Sequence, residues 1–132
     1  RAGVADRVVF AGHHADTERF FAAADLFVMP TLYEPFGMVI AEAMASGLPV
    51  VTSRLAGAGE LIEDKVDGVL LEEPTDPAAI AREVTSLIRE PGLAMDMGRR
   101  ARRKVEHFSW DYVVRETEAV YARALDSGVA GG

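Results

Sequence analysis

The chain has 132 residues, 49% of them hydrophobic and 27% charged, which suits one globular domain long enough for a core. A formal charge of −7 with no basic block argues against nucleic-acid binding, and the lack of cysteine excludes disulfides and cysteine-based metal sites. Apolar runs are short and interrupted, so no transmembrane segment is expected, and with no secretory signal the expected compartment is the cytoplasm.

Taken in order, the chain opens on Arg1 rather than methionine and reads as a piece of something longer. Residues 7–10 predict a short strand ending at Gly12, with His13 and His14 at its carboxy end, where open α/β sheets place ligands. Adjacent histidines point in different directions and make a poor metal pair, so they read as loop-surface residues. Asp16 and Thr17 are the candidate caps of a helix over 18–23, whose Phe20 and Phe21 should pack on the sheet. A second strand, 25–30, runs into the loop Thr31, Leu32, Tyr33.

The following stretch organises the rest. Glu34, Pro35 and Gly37 lead into an apolar run that predicts a helix through Met38, Val39, Ile40, Ala43 and Met44, stopping at Ser46 and Gly47. Pro35 suits the approach to a first turn, and Gly37 permits a close approach or a backbone angle that other residues resist. Glu42 is the only charged residue between Glu34 and Arg54, and the helix lacks a broad polar stripe. It therefore reads as mostly buried, with a carboxylate in need of a partner; a ligand hydroxyl is suited to that.

A helix N-terminus presents unpaired N–H groups and partial positive charge, a ready site for a diphosphate. Carboxylates are poor phosphate ligands but good acceptors from sugar hydroxyls. Glu34 before that terminus and Glu42 inside the helix thus suggest a sugar on one side of a diphosphate and a ribose on the other. A loop carboxylate plus a solvated helix carboxylate would give the same spacing, and only the surrounding string separates the two readings.

Beyond it, residues 48–53 predict a continuous apolar strand, as in a sheet covered on both faces. It empties into Arg54, Leu55, Ala56, Gly57, Ala58, Gly59 and Glu60, where small residues permit close backbone approach. A helix starting there could aim further N–H groups at a phosphate. Glu60 also reads as an early-turn carboxylate favoured by the helix dipole, and Arg54, the one nearby cation, as either facing the ligand or, the favoured reading, lying on the surface. Residues 64–68 form a turn and 69–71 a last short strand. A helix over 78–89 carries Ile80, Val84, Leu87 and Ile88 at helical spacing. Pro91 and Gly92 break it before another helix, whose Arg99, Arg100, Arg102, Arg103 and Lys104 read as a solvated face. Ser109 or Asp111 would cap the final helix, with Trp110 as a packing anchor; residues 128–132 read as a frayed tail behind a single domain over 1–127.

Three strings, residues 22–30, 33–37 and 42–51, resemble the carboxy-terminal domain of group 1 (family 4) retaining glycosyltransferases of the GT-B fold. The resemblance runs over nearly the whole chain and includes the paired glutamates. It implies a Rossmann-like parallel sheet flanked by helices, here four strands alternating with helices. It further implies that Glu34 contacts the donor sugar as the catalytic residue and that Glu42 binds the nucleotide ribose. The backbone of Phe36, Gly37, Met38 and Val39 would approach sugar and diphosphate. The family commonly has a glycine pair, a variable residue and a proline before the glutamate matching Glu60; Ala56, Gly57, Ala58 and Gly59 keep one glycine and lack the proline.

The implied activity is transfer of a sugar, with retention, from a UDP- or GDP-linked donor to an unknown acceptor, with no metal and no cofactor beyond the donor itself. The implied partners are that donor and an amino-terminal domain missing from this chain, so the chain alone is expected to be inactive. Strand order 3-2-1-4-5-6 would leave residues 8–10 separated by a gap from 26–29. That strand should move beside 26–29, pair with another chain, or leave the sheet, and the exposed sheet edge could support an oligomer. The alternative function is a non-catalytic nucleotide-binding or interaction module; a Rossmann dehydrogenase is disfavoured because no Gly-x-Gly-x-x-Gly follows a strand.

Overall fold

The structure, a computed structural model, describes residues 3–128. Its centre is a three-stranded parallel sheet in the order β1 (Phe27–Met29), β2 (Val50–Ser53), β3 (Val69–Leu71). Phe27 aligns with Val50, Val28 with Val51 and Met29 with Thr52; on the other side Val51 aligns with Val69 and Ser53 with Leu71. β2 is the central strand and is buried throughout. Because side chains alternate along a strand, Val50 and Leu70 enter one core layer and Val51, Val69 and Leu71 the other.

Helices cover both faces. α2 (Met38–Ala45) contributes Ile40, Ala43 and Met44 to the first layer. The second receives Leu87 and part of Ile80 from α3 (Pro77–Arg89), which starts on an Asp76 side chain accepting from the Ala78 N–H at 2.8 Å. α4 (Pro91–Val105) bridges the layers, with Met97 in the second and Ala101 and Val105 in the first. Its Lys104 reaches across to Asp67, which is 4% exposed and also accepts from the Glu63 N–H at 2.7 Å. The pair pins the turn before β3 to the helix.

Several expectations are corrected. Residues 8–10 form no strand: among the described residues three strands replace four, Val9 and Phe10 are exposed, and β1 is left as an edge. A β-branched run becomes a strand only where a ladder partner exists, and leaving the sheet was one of the three outcomes expected for this one. In α1 (Glu18–Ala23) Thr17 makes no side-chain cap and Asp16 pairs instead with Arg19 at 3.2 Å. Only Phe21 is buried, while Phe20 lies against the His14 ring at the surface. The residues after β2 form a 3-10 turn (Gly57–Leu61) rather than an α-helix. Trp110 opens α5 (Trp110–Gly128), where the Ser109 hydroxyl oxygen accepts from the Tyr112 N–H, but at 78% exposed it anchors nothing. Gly128 belongs to that helix, and the remainder of the expected tail, 129–132, lies outside the described residues.

Candidate functional site

The loops leaving β1 and β2 lie side by side at the carboxy ends of the parallel strands, where α/β sheets bind ligands. Side chains at the strand ends begin the lacing. Thr52 donates its hydroxyl to the Met29 carbonyl at 2.9 Å, and Ser53 donates to Thr31 at 2.6 Å. Backbone continues it: the Gly57 N–H donates to the Glu34 carbonyl at 2.9 Å, the Ala58 N–H donates to that of Phe36, and Glu34 and Ala56 form a parallel bridge. The loop carrying Glu34, Pro35 and Phe36 is thus held in place by its neighbour.

Gly37 then starts α2 in the left-handed region, φ 82°. This is the conformation only glycine adopts without strain, and the site is tight: a Cβ there would lie 3.0 Å from both Glu34 Cγ and Ile40 Cδ1. The Ile40 N–H turns back to the Gly37 carbonyl at 2.8 Å. Among the described residues no acceptor faces the N–H groups of Phe36, Gly37, Met38 or Val39. Four consecutive open donors at the positive end of a helix form an anion cradle.

The two predicted carboxylates flank this cradle. Glu34 is half-buried just before it. Glu42 stands on the same helix face as Met38, one turn on, and corrects the expectation of a buried carboxylate. α2 buries only its Ile40, Ala43 and Met44 side, and Glu42 is exposed. Its apolar outer residues, Met38 and Ala45, border a groove rather than core. Neither carboxylate has an ion pair or hydrogen bond to the protein among the described residues. The groove, about 450 Å³, runs along α2 between Phe36, Met38 and Glu42 on one side and Phe108, Trp110 and Val113 on the other. Glu42 is the only charged residue in its wall. Of the six predicted site residues, Phe36, Met38 and Glu42 meet in this groove, while Glu34, Gly37 and Val39 adjoin it through the cradle.

The other predicted candidates fall elsewhere. Arg54 pairs with Glu72 at 2.5 Å and Asp64 at 3.6 Å; the hydrogen bond to Glu72, with the charges of Glu72 and Asp64 behind it, holds the guanidinium pKa above its usual value. Glu60 is exposed, and His14 donates from Nε2 to the Ala11 carbonyl at 2.8 Å. A larger cavity, about 580 Å³, opens among Phe21, Asp25, Gly47 and Met95 at the amino ends of the strands, away from the loops. Sequence reasoning missed the Phe108 and Trp110 wall and the part played by Gly57 and Ala58, for which the surviving glycine after β2 was the available signal. Among the described residues no helix is long and apolar enough to cross a membrane.

Comparison with known proteins agrees with this architecture. A family model described as glycosyl transferases group 1 matches residues 1–90. An uncharacterized glycosyltransferase of Methanocaldococcus jannaschii is 39% identical over 127 residues, which are 94% of this chain and 32% of that protein. Sucrose-phosphate synthase from Thermosynechococcus elongatus superposes with a TM-score of 0.84 at 30% identity, over 94% of this chain and 32% of its own. The Anabaena protein Alr3699/HepE in complex with UDP gives 0.84 at 31%, over 92% and 34%. The same protein in complex with UDP-glucose gives 0.82 at 30%, again over 92% and 34%. This chain spans about a third of the length of these relatives, and its three-stranded sheet with flanking helices matches the carboxy-terminal domain of GT-B glycosyltransferases. The chain belongs to the group 1 glycosyl transferases.

Proposed function

We propose that the head of α2 is the donor site of a retaining glycosyltransferase that moves a sugar from a nucleotide diphosphate to an acceptor. The diphosphate lies on the N–H groups of Phe36, Gly37, Met38 and Val39, Glu42 accepts from the ribose hydroxyls, and Glu34 contacts the donor sugar. The observation that carries this reading is the run of four N–H groups without acceptors, between two carboxylates without protein partners, among the described residues. A ligand whose anionic middle joins two hydroxyl-bearing ends complements that order. The complexes of Alr3699/HepE with UDP and UDP-glucose support it and make a uridine donor the first to try.

Catalysis in this scheme is orientation and electrostatics. The bond between the anomeric carbon and the diphosphate breaks, and the cradle stabilises the charge that develops on the departing oxygen. Glu34 holds the sugar where that bond is aligned. The acceptor and further cations for the diphosphate come from the part of the relatives' length that this chain does not span. Calorimetric titration with UDP and GDP tests the reading. One of them binds, and Glu42→Ala weakens it about tenfold or more, the effect of losing hydrogen bonds to a charged acceptor. Equal affinity in the variant, or no binding of either nucleotide, removes the assignment. In an assembled enzyme Glu34→Ala lowers turnover more than nucleotide affinity, and Glu42→Ala does the reverse.

A further inference from the structure

We propose that Gly57 is a positioning residue for this site, setting the direction of the first donor in the cradle. The inference rests on the donor-site reading above and deepens it. Gly57 lies outside the left-handed region, so its backbone angles are open to any residue and glycine is required there for space alone. A Cβ at this position would fall inside the radius of the Pro35 carbonyl oxygen and 2.9 Å from both the Pro35 carbonyl carbon and Phe36 Cα. That carbonyl and the Phe36 N–H belong to one planar, trans peptide, so they point in opposite directions and turn together. The Gly57 backbone therefore braces the carbonyl side of the unit and aims its N–H away, toward the open end of the helix.

The brace is tied on both sides. The Gly57 N–H holds the Glu34 carbonyl just before the Pro35–Phe36 unit, and the Ala58 N–H holds the Phe36 carbonyl just after it. Behind them Ser53 connects to both loops, donating its hydroxyl to the Thr31 carbonyl and accepting from the Leu55 N–H at 3.2 Å. A side chain at Gly57 must push the peptide, and the push reaches the Phe36 N–H and the Glu34 carboxylate together. Loss of an aligned charge-assisted hydrogen bond then weakens diphosphate binding.

Gly98 supplies the matched control. A Cβ there would overlap the Gly47 carbonyl oxygen, so it forces an equally severe clash where α4 crosses the other end of α2. Amide spectra of the ligand-free chain, melting temperatures and UDP titrations are compared for Gly57→Ala and Gly98→Ala. In Gly57→Ala the Phe36, Gly37, Met38 and Val39 amides shift and UDP affinity falls about tenfold or more. In Gly98→Ala stability falls while those amides stay in place and affinity holds within about twofold. Unmoved cradle amides in Gly57→Ala, or indistinguishable effects of the two variants, overturn the proposal. If Gly57→Ala does not fold, hydrogen exchange in the unaltered chain decides: Gly57 and Ala58 amides exchange more slowly than those of Phe36 to Val39, and fast exchange at Gly57 overturns the brace. UDP that leaves the unaltered chain's cradle amides unmoved would end the donor-site reading instead, a result distinct from ligand-free spectra in which Gly57→Ala changes nothing.

Discussion

At its carboxy end α2 satisfies its own backbone. The Leu48 N–H donates to Ala43 at 3.1 Å, the Gly47 N–H to Met44 at 2.9 Å, and both the N–H and hydroxyl of Ser46 to Glu42. With Gly47 left-handed at φ 80°, this is a Schellman motif that closes the helix. At its amino end Gly37 is also left-handed, φ 82°, yet four N–H groups there meet no acceptor among the described residues. The sequence places no Ser, Thr, Asp or Asn to cap them. The difference separates the two ends: the carboxy end is closed by the chain's own backbone, and the amino end is the one that the proposal above gives to a ligand.

Substitutions along the helix should separate the two ends. The largest effect belongs to the buried face near the closed end. Met44 is fully buried, so Met44→Ala should cost about 2–5 kcal/mol in denaturant unfolding while the folded fraction binds UDP as before. A matching loss of affinity would join the two ends into one unit. Glu42→Ala comes next, with stability unchanged within about 0.5 kcal/mol because no protein group among the described residues pairs with the carboxylate, and UDP affinity reduced about tenfold or more. Gly47→Ala forces a side chain into the left-handed region and should lose about 1–2 kcal/mol of stability, again without touching UDP binding. Trp110→Ala is the smallest, within about 0.5 kcal/mol in a thermal or denaturant melt, as the ring is mostly in solvent. A larger loss would restore it as an anchor.

What the sequence made legible was local. The apolar runs that became β2 and β3, the helical spacing of Ile80 and Leu87, and the stop at Ser46-Gly47 are written in neighbouring residues. So is the pair Glu34 and Glu42 around a helix start. What was not legible depends on partners distant in the chain. Residues 8–10 carry strand chemistry but no ladder, and Trp110 carries anchor chemistry but lies mostly in solvent on the groove wall. Glu42 was expected to be buried because its helix is apolar all round, whereas α2 packs only one side and gives the other to a groove. The bracing by Gly57 depends on where the Pro35 carbonyl sits across the loop pair, which no spacing of small residues can state.

The central claim is that the open end of α2 binds the diphosphate, and amide chemical shifts during a UDP titration test it most directly. The account predicts that Phe36, Gly37, Met38 and Val39 amides move together and saturate at one affinity, while Ser46, Gly47 and Leu48 at the closed end stay still. Shifts confined to the closed end, or to the cavity at the amino ends of the strands, would contradict it.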